Sequence, residues 1–117
     1  MGRKITAALA LAFLLASTPV LADARSDAQA QVDFGIEVAR RGLWREAIYR
    51  WQRAVDLDPT YASAWNNLGI GFEQEGRFDE ALEAYERALD LDPDNLLIEQ
   101  NYDLCLEVSD RVSQDPQ

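Results

Sequence analysis

Two consecutive stretches of 34 residues decide the fold of this chain: AQAQVDFGIEVARRGLWREAIYRWQRAVDLDPTY at residues 28–61 and ASAWNNLGIGFEQEGRFDEALEAYERALDLDPDN at residues 62–95. Aligned without a gap, they are identical at 13 positions, whereas two unrelated segments of this length would share about 2. A fixed period of this size is the sequence signature of a repeat protein. Each copy therefore predicts one structural unit of an array.

The residues inside each copy predict a pair of closely packed helices. Small residues recur at matching places, Gly35 with Gly69 and Ala47 with Ala81, and they allow the two helices of a pair to approach each other. Large residues at helical spacing are expected to fill the space between the helices. These are Phe34, Trp51, Leu68, Phe72 and Tyr85.

Glycine and proline predict where the helices end. Gly42 and Gly76 follow the first helix of each pair, where a residue in the left-handed conformation is favoured. Pro59 and Pro93 follow the second helix, which proline cannot continue. A fifth helix follows the second copy, with Asp94 or Asn95 as its N-cap. The predicted helices span residues 28–41, 44–57, 61–75, 78–91 and about 95–112.

The second copy resembles the tetratricopeptide repeat (TPR) family along its full length. The pattern is Trp65-x2-Leu68-Gly69-x2-Phe72, then Ala81-x3-Tyr85-x2-Ala88, then Pro93. The first copy departs from it at Gln31 and Val38, as expected at the exposed end of an array. The resemblance implies an all-α fold: a short TPR-type α-solenoid of two helix-turn-helix repeats plus a C-terminal capping helix.

The first 22 residues predict an export signal. Arg3 and Lys4 precede an uncharged run of 12 residues, ITAALALAFLLA, and small residues follow. Cleavage after Ala22 and cleavage after Ala24 both fit this pattern. We favour a cleaved signal over an uncleaved membrane anchor because the uncharged core is shorter than the roughly 20 residues of a spanning helix. The short signal looks bacterial and predicts a periplasmic or secreted protein without a stable membrane span.

The chain then divides into six predicted segments. These are a signal peptide at 1–22, a linker at 23–27, TPR repeat 1 at 28–61, TPR repeat 2 at 62–95, a capping helix at 96–112 and a tail at 113–117.

Composition narrows the possible functions. The chain carries 21 acidic and 11 basic residues for a net charge of −10, which becomes −12 without residues 1–22. Such an acidic chain repels phosphate backbones, which argues against a nucleic-acid partner. It has no histidine, the commonest general base and metal ligand, and its single cysteine, Cys105, cannot form an intramolecular disulfide. Cys105 is predicted to be a buried thiol, with an intermolecular disulfide as the alternative.

No catalytic or metal-binding arrangement stands out from the repeat pattern. Trp44, Trp51 and Trp65 fall at packing positions, which indicates core. The acidic residues from Glu73 to Glu86 are interleaved with Arg77 and Arg87 around a turn and predict a solvated surface. We therefore predict that the protein is not an enzyme and needs no cofactor or metal.

The resemblance to TPR proteins implies a binding groove. In that family the first helix of each pair lines a concave face that binds a peptide. Carried over by register, the groove would be lined by Val32, Ile36, Arg40, Asn66, Asn67, Ile70, Glu73, Gln100 and Leu104. This lining suits a peptide or partner protein with apolar anchors and some basic residues. The predicted function is an exported, non-catalytic adaptor or assembly factor; the alternative is a protein that self-associates through its terminal helices as a homo-oligomer.

Overall fold

The computed structural model describes residues 2–3 and 19–115, and within this part all regular structure is helical. Five helices follow one another along the chain, and each packs against its neighbours in sequence, as in an α-solenoid. They are α1 (Pro19–Arg40), α2 (Trp44–Leu57), α3 (Ala62–Gln74), α4 (Phe78–Leu91) and α5 (Leu96–Gln114). The predicted fold class is confirmed.

Turns form where the repeat pattern predicted them. Gly42 and Gly76 have φ values of +77° and +71°, a backbone conformation that side chains with a Cβ rarely adopt. Pro59 and Pro93 lie two residues after the end of a helix, which is Leu57 in the first repeat and Leu91 in the second. The Asn95 side chain accepts hydrogen bonds from the backbone N–H groups of residues 97 and 98, so Asn95 is the N-cap of α5.

An equivalent aromatic residue fills the core of each repeat. Trp51 is 2% exposed, and Tyr85, 34 residues later, is fully buried. A Cβ added at Gly35 would lie 2.3 Å from Nε1 of Trp51, and one added at Gly69 would lie 2.6 Å from Cε1 of Tyr85. The predicted close approach of the helices is therefore confirmed, because each glycine leaves the space that the facing ring occupies.

The first helix begins earlier than the sequence predicted. The expected linker at 23–27 is helical and continuous with α1, because this stretch, Asp-Ala-Arg-Ser-Asp, contains neither glycine nor proline. The Arg25 guanidinium hydrogen-bonds to Asp58 and Thr60 and stacks 4.6 Å from the centre of the Tyr61 ring. These contacts attach the beginning of α1 to the segment between α2 and α3.

Some residues predicted as core are exposed instead. Phe34 is 47% exposed, because no preceding helix pair covers its face of α1 in the described part of the chain. Its equivalent in the second repeat, Leu68, is 2% exposed, since α2 lies next to it. Trp44 and Trp65 are only partly buried, so the expectation that all three tryptophans form the core holds fully for Trp51 alone.

The predicted signal peptide lies largely outside the described residues, which include only residues 2–3 and 19–22 of it. Export therefore stays a prediction. In the described part of the chain, none of the helices combines the length and the apolar character that crossing a membrane requires.

Candidate peptide-binding groove

A depression on the surface formed by α1 and α3 brings together four of the predicted groove residues. Ile36 and Arg40 come from α1, and Asn67 and Ile70 come from α3. The depression has a volume of about 240 Å³, and its other lining residues are Ala39, Trp44 and Trp51. Its lining is largely apolar, with one guanidinium and one amide group as polar contacts.

The position of α3 against α2 follows from a glycine in α3. A Cβ at Gly71 would lie 2.7 Å from Cγ1 of Ile48 and 3.1 Å from Cζ3 of Trp51. The absence of a side chain at position 71 therefore allows the second repeat to pack closely on the first. The same Trp51 ring contacts α1 at Gly35, so it sets the position of both helices that line the depression.

The two polar residues of the depression differ in how they are held. Nδ2 of Asn67 donates a hydrogen bond of 2.8 Å to the backbone oxygen of Ser63 in its own helix. Nη1 of Arg40 lies 2.7 Å from Oε1 of Glu37, and the Arg40 side chain is 70% exposed. An exposed ion pair of this kind contributes little to stability, so Arg40 can reorient toward a ligand at small cost.

A second depression adjoins the first and shares Trp44 with it. Its volume is about 610 Å³. It surrounds the turn between α1 and α2 and includes the exposed side chains of Leu43 and Arg45 and the carboxylates of Glu46 and Glu75. Sequence reasoning placed Trp44 in the core and missed its role at the boundary of the two depressions. The position of Trp44, two residues after Gly42, was the sequence signal for this role, because a residue at that position begins α2 at the edge of the repeat.

Three predicted groove residues of α1 and α3 lie outside the depression. Val32 is 3% exposed, and its backbone oxygen accepts a hydrogen bond of 3.2 Å from Nε1 of Trp51. Asn66 is 8% exposed, and its Oδ1 accepts a hydrogen bond of 3.0 Å from Nδ2 of Asn101 in α5. Neither residue lies free on the surface in the structure, because neighbouring helices cover these positions.

Glu73, the third, makes a partly buried polar contact. Its Oε2 accepts a hydrogen bond of 2.9 Å from the Tyr85 hydroxyl. Burial, together with this hydrogen bond, raises the pKa of Tyr85 well above its ordinary value. The phenol therefore stays protonated and remains a donor to Glu73 over the whole physiological pH range.

The predicted lining residues of α5 do not reach the depression. Gln100 and Leu104 are exposed on α5, Leu104 at 59%. Leu97 of the same helix lines a separate small cavity of about 130 Å³ together with Ser63 and Asn66 of α3. The candidate site is therefore confined to the first repeat and the facing side of α3.

Cys105 is fully buried in the helical core. Burial, with the nearby Glu73 carboxylate, raises the pKa of its thiol to about 11. The structure thus supports the buried thiol over an intermolecular disulfide, because Sγ has no access to a second molecule while the chain is folded.

We expect Cys105 to be unreactive in the native protein. At pH 8 only about one thiol in a thousand is ionised when the pKa is near 11, and the thiolate is the reactive form. Reaction with a chromogenic disulfide reagent at pH 8 should be at least about 100-fold slower in buffer than in concentrated urea. Rapid stoichiometric labelling of the folded chain would show that the α4–α5 contact opens readily.

The described residues do not form an evident centre for metal chemistry. Among residues 2–3 and 19–115, no three His, Cys, Asp or Glu side chains converge in a way that could hold a metal ion. The arrangement of the candidate site is suited to contact with another molecule through apolar packing, one guanidinium and one amide.

Comparisons with known proteins agree with the repeat pattern and the fold. The tetratricopeptide repeat model matches residues 62–95, and a further TPR repeat model matches residues 39–74. Two solved structures, described as crystal structures of MamA protein and of MamA, each align with a TM-score of 0.67. They are 28% and 31% identical to this chain over 81% and 75% of its length. No curated protein sequence matches the chain.

This chain spans about half the length of those two structures, 53% and 51% respectively. Repeats of this type build extended concave surfaces that contact other proteins, and the fold is an interaction fold rather than a catalytic one. The two repeat models, together with the helices found where they match, show that residues 39–95 of this chain are built of tetratricopeptide repeats.

Proposed function

We propose that the protein is an exported adaptor or assembly factor that binds a peptide segment of a partner protein in the groove between α1 and α3. The observation that carries this proposal is the convergence of Ile36, Ile70 and Trp44 around one depression with Arg40 and Asn67 beside them. Apolar side chains that stay partly exposed in one concave place provide anchors for a partner. The polar groups then orient the backbone or side chains of the bound segment.

The proposed partner is a peptide with apolar anchors and basic residues. An apolar side chain of the peptide enters the depression of about 240 Å³. Basic residues next to it meet Glu75 in the adjoining depression, which also holds Glu46, already paired with Arg50. Complementary charges of this kind select the partner and speed association more than they increase affinity.

A peptide library displayed on phage and selected on the full chain tests the groove. We expect the enriched peptides to combine aliphatic or aromatic residues with Lys or Arg. Changing Ile36→Ser or Ile70→Ser should weaken binding of an enriched peptide at least about tenfold, because each removes a buried apolar contact. Val112→Ser is the matched control, because Val112 is 54% exposed on α5 and outside the depression.

Binding that both isoleucine variants leave unchanged would contradict the groove proposal.

Export is tested on the chain recovered from the cell envelope or the medium. Its mass should correspond to a chain that lacks residues 1–22 or 1–24. A chain that keeps its first residues and stays in the cytoplasm would contradict export without affecting the groove.

A further inference from the structure

Charge is distributed very unevenly along the array. Residues 23–59 carry seven acidic side chains and six arginines, a net charge of −1. Residues 60–117 carry 14 acidic side chains and three arginines, a net charge of −11. The first repeat is therefore nearly neutral, whereas the second repeat and α5 are strongly acidic.

The open face of the first repeat combines aromatic rings with arginines. Cζ of Arg50 lies 4.2 Å from the centre of the Phe34 ring and 5.4 Å from that of Tyr49, and Cζ of Arg53 lies 6.0 Å from the Tyr49 ring. We call Phe34, Tyr49, Arg50 and Arg53 the arginine-aromatic face. Phe34 and Tyr49 are 47% and 51% exposed.

The second repeat shows which equivalent positions become buried when another helix precedes the repeat. The residues equivalent to Phe34 and Arg50 are Leu68 and Ala84, which are 2% and 3% exposed. Leu68 is covered because the preceding helix, α2, lies against α3. Glu83 and Arg87, the equivalents of Tyr49 and Arg53, stay exposed. Phe34 thus lies where a solenoid accepts another helix. The guanidinium of Arg50 lies against its ring and is also paired with Glu46, with Nε 3.0 Å from Oε1.

At the other end of the array, α5 leaves one side open. Ile98 and Cys105 face the core, and helical periodicity places a set of exposed residues on the opposite side. We call this set the outer face of α5. It consists of Leu96, Gln100, Asp103, Leu104 and Glu107. Glu107 also lies 3.8 Å from Arg111, an exposed and long contact that leaves its carboxylate accessible.

We propose that a second copy of this chain docks head-to-tail, the outer face of α5 of one copy packing on the arginine-aromatic face of the next. Leu96 and Leu104 of one copy cover Phe34 and Tyr49 of the next. The carboxylates of Asp103 and Glu107 meet Arg50 and Arg53. The two faces differ from each other, so the contact is heterologous and can continue from copy to copy. This contact is separate from the groove between α1 and α3 and does not depend on the proposed peptide binding.

Charge reversal at each face tests the proposal on the full chain. We expect the mass measured by light scattering to rise with concentration for the wild type, and this association to weaken at 0.5 M salt, where charges are screened within a few ångströms. The paired changes Arg50→Glu with Arg53→Glu, and Asp103→Arg with Glu107→Arg, should each lower the association constant at least about tenfold. Mixing the two variants should restore association, because each then provides the face that the other needs.

The matched controls make the same kinds of charge reversal at residues that lie outside both faces. Arg41→Glu and Asp90→Arg are exposed substitutions and should associate as the wild type does. The single change Arg53→Glu keeps the ion pair of Arg50 with Glu46. It therefore tests the arginine-aromatic face if the double change unfolds the chain. A wild type that stays monomeric at all concentrations would overturn the proposal. Association that the variants do not weaken, or that mixing them does not restore, would overturn it as well.

Discussion

Replacing Trp51 with alanine should lower the free energy of unfolding by about 3–5 kcal/mol, the range for a buried tryptophan reduced to alanine. The ring is 2% exposed, contacts α1 at Gly35 and α3 at Gly71, and donates a hydrogen bond to the backbone oxygen of Val32. Its removal leaves a cavity where three helices meet. A small domain has a total stability of only about 5–15 kcal/mol, so the variant should be close to unfolded.

Urea unfolding followed by circular dichroism at 222 nm measures the effect of Trp51→Ala. Tyr49→Ala is the matched control, because Tyr49 is an aromatic residue of the same helix that is 51% exposed. Its change should cost less than about 1 kcal/mol. A loss below 1 kcal/mol for Trp51→Ala would show that the ring is not the contact that holds α1, α2 and α3 together.

Changing Gly69 to alanine should also destabilise the fold, by about 1–3 kcal/mol. In an exposed helix the same change would stabilise by about 1 kcal/mol, because alanine is the better helix former. Here the new Cβ would lie 2.6 Å from Cε1 of Tyr85. That ring cannot move easily, because it is fully buried and its hydroxyl is bound to Glu73.

A double variant separates the steric effect from other effects of Gly69→Ala. In a Tyr85→Leu background the ring atoms that meet the new Cβ are absent, so the added Gly69→Ala change should become neutral or stabilising. A loss of the same size in both backgrounds would contradict the steric explanation. The coupling between the two changes, measured in the same urea series, gives the size of the contact.

The regular part of the fold was predictable because it depends on local rules repeated twice. The predicted bounds of α2 and α4 agree with the structure, and α3 differs by one residue at each end. Glycine after the first helix and proline after the second act through the backbone alone, so their effect can be read without knowledge of the neighbours.

The groove was predictable only in part. Register along a helix indicates which residues share a face, and Ile36, Arg40, Asn67 and Ile70, which it grouped, line one depression in the structure. It does not indicate which parts of that face another element covers. Register therefore could not show that Trp51 and Asn101 contact Val32 and Asn66 from other helices.

The sequence by itself determined the helix pairs, their turns and the small and large residues that let them pack, because a 34-residue period imposes the same backbone choices twice. Only the tertiary structure decided what lies at the ends and along the surface of the array. It extended α1 back to Pro19, placed Trp44 at the boundary of the two depressions and left Phe34 open to solvent. Exposure depends on whether another helix lies against a residue, and that depends on contacts between elements rather than on the period.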